Sequence, residues 1–368
     1  METEARYLGV ANYGSEETNK DNRDHFAYRF EIDGKEQMLK IENGEGETAY
    51  VIQNVLKEGC DYDVTIEDGV VTQAVERPAD TVAYEPPVSG VPGERTLKNF
   101  LKTAMEPVGT TLYIYGGGWD WQDEGSAIQT RTIGVSPDWV RFFNEQDENF
   151  TYRDKDSDEE NKDAATSFYP YGGFNEYYYA GLDCSGYLGW TLYNTLNTES
   201  GGAGYVGGST GFAKRLAEEM GLGDWTQDVV KPDGTAETVM KPGDIMSING
   251  HVWISLGTCD DGSVVITHCT ASPSRTGQPG GGVQLGAIGA EESCEAYQLA
   301  DWYMSTYYPE WYRRYTVCLK DPEVYFTFAG EPAGKFTWRT DGTGGGLTDP
   351  EGIQTCMPGE VLAMLFSE

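Results

Sequence analysis

Residues 183–186 read Asp-Cys-Ser-Gly, and Cys184 opens the run Cys-Ser-Gly-Tyr-Leu-Gly-Trp-Thr-Leu-Tyr-Asn-Thr-Leu. Leu188, Leu192 and Leu196 recur along it at four-residue spacing, the stripe of an amphipathic helix, with Asp183 placed to cap its start. A sulfur in the first turn faces unpaired backbone N–H groups and the positive end of the helix dipole, which favour thiolate over thiol. With an imidazolium nearby, such positions bring a cysteine pKa from about 8.5 into the range of roughly 3.5–7.5. The spacing therefore predicts a nucleophile ionised at neutral pH. A buried structural cysteine is the competing reading.

A nucleophile of this kind needs a base, and the chain has three histidines. Two lie downstream of Cys184. Residues 245–256 read as a strand that ends in strict alternation, with His251, Trp253 and Ser255 on one face and Val252, Ile254 and Leu256 on the other. Turn formers follow at 257–262, then a second strand, 263–268, ends on His268; the two are expected to pair as an antiparallel hairpin. A loop of Asp261-Gly262 sets His268 opposite Ser255, and a loop of 259–262 sets it opposite Trp253. Either register keeps His268 on the face of His251, because side chains alternate with period two. With the longer loop the two imidazoles are diagonal neighbours. Thiol, base and a second polar ring are the parts of an acyl-transfer site. His25, far upstream, reads as structural. Cys269, next to His268, is a rival thiol, but inside a strand it has no helix dipole and points to the opposite face.

Three separated stretches resemble the NlpC/P60 cysteine peptidases of bacterial cell walls. Tyr113-Ile-Tyr-Gly-Gly117, preceded by a helix-like segment with Leu97, Phe100, Leu101, Ala104 and Met105, looks like the family's Tyr-x-Trp-Gly-Gly. Asp183-Cys-Ser-Gly186 is similar to its nucleophile motif. Pro242-Gly-Asp-Ile245, then Gly250-His-Val252 and Thr267-His268, resembles its proline-glycine-aspartate strand, base histidine and third polar residue. The resemblance covers residues 95 to about 285 and implies an α+β, papain-like domain, with the nucleophile helix packed on an antiparallel sheet. It implies Cys184 as nucleophile, His251 as general base and His268 as the residue that orients it. Tyr113 would line the cleft, and Asp183 and Ser185 would help hold the substrate's free amine and carboxylate. The implied substrate is a peptidoglycan stem peptide, cut between γ-D-glutamate and a diamino acid. Two other classes share these residues: another papain-like amidase or acyltransferase, and a non-catalytic binding module on the same fold.

Residues 118–182 depart from that pattern, where family members have a short loop. They hold the charged stretch 145–163 and the aromatics Phe168, Tyr169, Tyr171, Phe174, Tyr177, Tyr178 and Tyr179. A cap over the cleft and an anchored surface excursion are equally open readings of this insertion. Asp154, Asp156 and Asp158 alternate as in a calcium loop, but the glycine and later glutamate of an EF-hand are missing.

The formal net charge of −34 argues against electrostatic binding to nucleic acid or to an anionic membrane surface, and no apolar run is long enough to span a bilayer. The start, Met1-Glu-Thr-Glu-Ala-Arg, lacks the features of a signal peptide, so the chain reads as intracellular or as stripped of a leader; the resemblance implies the cell envelope. Seven cysteines without a Cys-x-x-Cys pair speak against a zinc site and fit a reducing setting. No metal or cofactor is expected, and oligomeric state is not legible.

Ahead of these motifs, strand-like stretches at 25–32, 37–41, 62–66 and 70–75 are broken by Asp33-Gly34, Asn43-Gly44 and Asp68-Gly69, with one helix-like piece at 52–56. Residues 1–76 thus read as a small β-barrel-like domain and 77–94, with Pro78, Pro86, Pro87 and Pro92, as an extended linker. Residues 95–322 form the NlpC/P60-like domain, with a helix expected at 291–308. Residues 323–368, with strands expected at 325–328 and 334–339, form a C-terminal β extension.

Overall fold

Alternating inward apolar residues roll the first five strands into a closed barrel, β1 (Glu2–Asn12), β2 (Ala27–Ile32), β3 (Lys35–Ile41), β4 (Asp61–Glu67) and β5 (Val70–Glu76), in the order β1-β2-β3-β5-β4. The structure, a computed structural model, describes residues 1–12, 27–41, 56–77, 84–119, 133–146, 178–200, 204–205, 207–228, 240–277, 280–327 and 330–367. His25, Asn43-Gly44, residues 52–55, Asp154 to Asp158 and Phe168 to Tyr177 lie outside them. Two of the expected turns are hairpin turns with both central residues at positive φ, Asp33 (51°) with Gly34 (71°) and Asp68 (51°) with Gly69 (81°), the type I′ geometry whose twist suits paired strands. Tyr7, Tyr28, Phe30, Tyr62, Val64 and Val71 fill the barrel. Strand β1 is not expected from the sequence: Glu2, Glu4 and Arg6 face outward, and Ala5 and Tyr7 are its buried hydrophobic residues.

The rest of the chain is a mixed α+β body. Its nine-stranded sheet runs in the order β7-β6-β12-β11-β10-β9-β14-β8, with β13 pairing on β12. The strands are β6 (Leu112–Tyr113), β7 (Gly181–Leu182), β8 (Gly223–Thr226), β9 (Ile245–Ile248), β10 (His251–Thr258), β11 (Val264–Ala271), β12 (Gly281–Ile288), β13 (Cys318–Lys320) and β14 (Gly334–Trp338). The helices are α1 (Leu97–Met105), α2 (Pro137–Asn144), α3 (Cys184–Leu196), α4 (Phe212–Glu218), α5 (Glu295–Tyr307), α6 (Pro309–Arg314), α7 (Pro322–Tyr325) and α8 (Pro358–Leu365). No helix among the described residues is long and apolar enough to cross a membrane.

One face of the sheet, through Val252, Ile254, Leu256, Val265, Cys269, Val283 and Leu285, joins the main core with α1 and α3. The other carries Met246, Ile248, Trp253, Ile266 and Ile288, covered by Tyr325 and Phe326. The stretch 245–256 is two strands, not the single one expected: it breaks at Asn249-Gly250, where Gly250 takes a φ of 76°, and His251 pairs back onto Ile248. Residues 323–368, expected as a β extension, place β14 inside this sheet between β9 and β8; the rest of the tail adds Leu347, Ile353, Val361, Leu362 and Leu365 to the main core. Residues 325–328 are expected as a strand, whereas Tyr325 closes the short helix α7.

Asp244, of the proline-glycine-aspartate stretch, fastens that tail. Fully buried, it accepts from the backbone N–H of Lys241 (2.9 Å) and the hydroxyl of Thr337 (2.7 Å), and its carboxylate faces Lys335 Nζ of β14 at 3.4 Å. Burial holds the carboxyl above its ordinary range, against the pull of Lys335. Asp244→Ala strands a buried lysine and is expected to cost about 3–5 kcal/mol in denaturant unfolding. The paired change Asp244→Leu with Lys335→Met should recover much of it, and a single-variant loss under about 1 kcal/mol would show that the pair does not hold the tail strand.

The barrel and the linker are tied to this body by specific bonds. Lys57 Nζ meets Asp138 Oδ2 of α2 at 2.8 Å, Tyr179 Oη accepts from the Glu58 N–H, and Arg141 donates to the Glu58 carbonyl. Beyond residues 78–83, the linker is held by α1. The buried Asn99 accepts from Val91 N–H and donates to the carbonyls of Val91 and Glu94.

Candidate active site

The helix that opens on Cys184 forms where it was expected, but its surroundings differ from the expectation. Asp183 caps α3, its Oδ1 accepting from the Gly186 N–H and from the Ser185 hydroxyl, both at 2.8 Å. Instead of one apolar stripe, every residue of α3 except Ser185 is buried, because the helix lies between α1 and strands β10 and β11. Glycines make this packing fit. A Cβ on Gly186 would sit 2.0 Å from the Gly117 carbonyl oxygen, and one on Gly181 would sit 2.2 Å from that of Leu112. Gly117 in turn accepts from the Asp183 N–H at 2.8 Å. Tyr113-Ile-Tyr-Gly-Gly117 and Asp183-Cys-Ser-Gly186 are thereby brought together.

Tyr113 lies on β6, paired in parallel with β7. Burial raises its phenol, and Cys184 and Asp183 nearby raise it further.

Cys184 is 7% exposed. Its Sγ lies 4.0 Å from the carbonyl oxygen of Gly250, the residue before His251. Burial and then the Asp183 carboxylate push the thiol up to about 12, against the opposite pull of the backbone N–H groups of Val252 and Ser185 and the hydroxyl of Ser209. The thiolate expected from the helix start is therefore not the resting form: desolvation outweighs the donors that face the sulfur. Cys269 points to the face opposite His268, as its place in the strand requires, and there gives its S–H to the Leu182 carbonyl at 3.0 Å.

The hairpin settles in one of the two expected registers. Ile254 pairs with Thr267, so Trp253 falls opposite His268, and a bulge between Ser255 and Gly257 absorbs the extra residue of the connection 259–263. His251 Nε2 lies 3.3 Å from His268 Nδ1, with ring centroids 5.5 Å apart. Among the described residues no hydrogen bond joins Cys184 Sγ to the His251 ring; the sulfur lies against the carbonyl just before it. Burial lowers His251 to about 3, with Lys320 adding, and lowers His268 in the same direction. At rest the site is a neutral thiol beside two neutral imidazoles.

Three side chains around it had no signal in the sequence. Tyr325 lies over both rings, 5.6 Å from His251 and 6.3 Å from His268; it belongs to a stretch whose aromatics read as a strand. Ser209 and Thr210 open the short 3₁₀ turn Ser209–Gly211; Ser209 faces the sulfur and Thr210 Oγ1 accepts from the Gly250 N–H at 2.9 Å.

The described parts of the insertion are built into the body. Trp139 of α2 packs edge-on against Trp190 of α3 at 6.0 Å, and Phe142 against Tyr179 at 6.4 Å. The stretches that would form a cap lie outside the described residues. A cavity of about 420 Å³, lined in part by Tyr84, Glu106, Val135 and Asn194, opens between the linker and α2, away from Cys184.

The one group of metal-capable side chains among the described residues is Cys259, Asp261 and Glu295. Its carboxylates are already engaged: Asp261 accepts from the N–H groups of Ser263 and Glu295, and Glu295 from that of Asp260. They cap the hairpin loop and the start of α5. All seven cysteines are free thiols.

Compared with family models, curated proteins and solved structures, the chain matches none of them.

Proposed function

We propose that the chain is a cysteine endopeptidase of the NlpC/P60 kind, with a papain-like catalytic domain, that hydrolyses peptidoglycan stem peptides at the γ-D-glutamyl–diamino acid bond. The observation that carries this reading is the convergence of three motifs far apart in sequence. Gly117 bonds Asp183, the sulfur of Cys184 lies against Gly250, and His251 adjoins His268.

Because His251 meets His268 through Nε2, Nδ1 is the ring nitrogen left for the thiol. In the first step the Cys184 sulfur attacks the peptide carbonyl as its proton passes to His251 Nδ1. His251 then protonates the departing amine, and a thioester remains. In the second step His251 takes a proton from water, which hydrolyses the thioester and frees the thiol. With both groups neutral at rest, the proton transfer accompanies attack, so this is general-base catalysis and not attack by a stored thiolate. The Gly186 and Tyr187 N–H groups are taken by Asp183, so oxyanion donation from the start of α3 falls to Cys184 and Ser185. Asp183 and Ser185, bonded to each other, would offer one joint contact to the substrate's amine.

Incubation with a defined muropeptide mixture, followed by mass spectrometry, tests the reading. Fragments ending in γ-D-glutamate are expected, and a mixture left intact by folded protein would sink it.

A further inference from the structure

Gln284 of β12 is fully buried, yet among the described residues neither its amide nitrogen nor its carbonyl oxygen has a hydrogen-bond partner. A buried amide unpaired at both ends is a costly arrangement. It stands directly opposite His268 in the β11–β12 ladder, where facing Cβ atoms are about 4.5–5.5 Å apart. His268 Nε2 is also buried and has no partner among the described residues. Its ring extends over β12 because residue 286 is glycine: a Cβ there would lie 3.2 Å from Nε2. The residues flanking Gln284 on this face of β12 are Gly282 and Gly286, so Gln284 is the polar side chain that β12 presents to the ring.

The direction of the hydrogen bonds supplies the function. If His251 Nδ1 is to accept the thiol proton, His251 must carry its own hydrogen on Nε2 and donate it to His268 Nδ1. His268 then carries its hydrogen on Nε2 and needs an acceptor. We propose that Gln284 is a positioning residue whose carbonyl oxygen, after a side-chain rotation, accepts the Nε2–H of His268 and so fixes the tautomers of both histidines. This rests on the reading of His251 as the base. The reversed amide would donate to His268 Nε2, drive a hydrogen onto Nδ1 of both rings and leave His251 unable to accept from the sulfur.

Nitrogen-15 NMR of the histidine side chains reads this directly, because the chain has only three histidines, assigned with His251→Gln and His268→Gln variants. The expected wild-type result at pH 7.5 is the Nε2–H tautomer for both His251 and His268. In Gln284→Leu the His268 resonances should move to a mixture of tautomers. Gln284→Glu, which keeps an acceptor, should restore Nε2–H. Loss of the outer partner that orients a metal-bound histidine costs about 10–100-fold; by the same orienting role, kcat on muropeptides should fall by a factor of that order in Gln284→Leu with KM unmoved. Nδ1–H on His268 in the wild type, or a tautomer unchanged in Gln284→Leu, overturns the proposal. Absence of cleavage with Nε2–H tautomers present would sink the peptidase reading and leave the role of Gln284 standing.

Discussion

Cys184→Ala is expected to abolish stem-peptide cleavage, a loss of roughly a million-fold in kcat of the kind seen when the nucleophile of a coupled site is removed. His251→Ala should cost nearly as much, since nucleophile and base act as one unit and their losses do not add. Cys269→Ala should leave turnover in place, because that thiol is spent on the Leu182 carbonyl. Full activity in Cys184→Ala would rule out the mechanism. Alkylation separates the two routes to attack. With its thiol raised to about 12 by burial, Cys184 should react with iodoacetamide at pH 7 more slowly than the more accessible Cys294 and Cys356. Fast labelling of Cys184 would mean a preformed thiolate, replacing general-base attack while keeping the nucleophile.

That reversal marks where local sequence stops being informative. The helix Cys184–Leu196 and its Asp183 cap were legible because both depend on residues within a few positions of one another. Whether a first-turn sulfur is ionised depends on depth, and depth is set by distant segments. Here α1, β10 and β11 enclose α3 on opposite sides, and Trp139, from the stretch with no counterpart in the NlpC/P60 pattern, packs on Trp190. Four-residue spacing of leucines reads the same in a half-buried and a fully buried helix.

The hairpin shows the same division. Its face assignment was legible, since period-two alternation puts His251, Trp253 and His268 together under either register. The break at Asn249-Gly250 carried a strong turn signal of its own, yet the apolar residues on both sides hide it, because Ile245–Ile248 is buried on both faces. Strand β12 was unreadable for a related reason: all of Gly281–Ile288 is buried, so no polar face alternates with an apolar one. Its glycines answer to contacts far away in sequence. A Cβ on Gly282 would lie 2.1 Å from the Thr111 carbonyl oxygen, and one on Gly286 would crowd the His268 ring. Gln284, lying between them, could not be read as part of the site until the β11–β12 register was known.

Acid should weaken this protein through the same two histidines. The folded chain keeps His251 neutral down to about pH 3, although an unburied imidazole protonates near 6.5. Between those values the unfolded chain binds a proton that the folded chain refuses, so stability falls as pH drops through that window and is unaffected above it. At about 1.4 kcal/mol per unit the His251 share is at most roughly 5 kcal/mol over the whole window, and His268, lowered in the same direction, adds to it. Protonating carboxylates on a chain of formal net charge −34 relieves self-repulsion and acts with the opposite sign. The wild type alone therefore cannot separate the two effects, but a difference can. Urea unfolding at pH 7.5 and pH 4.5 should show a smaller loss on acidification in the His251→Gln, His268→Gln double variant than in the wild type, by at least about 2 kcal/mol. Equal losses in the two proteins would mean that the imidazoles are solvated and free to charge, and the neutral resting pair inferred from their burial would have to be given up.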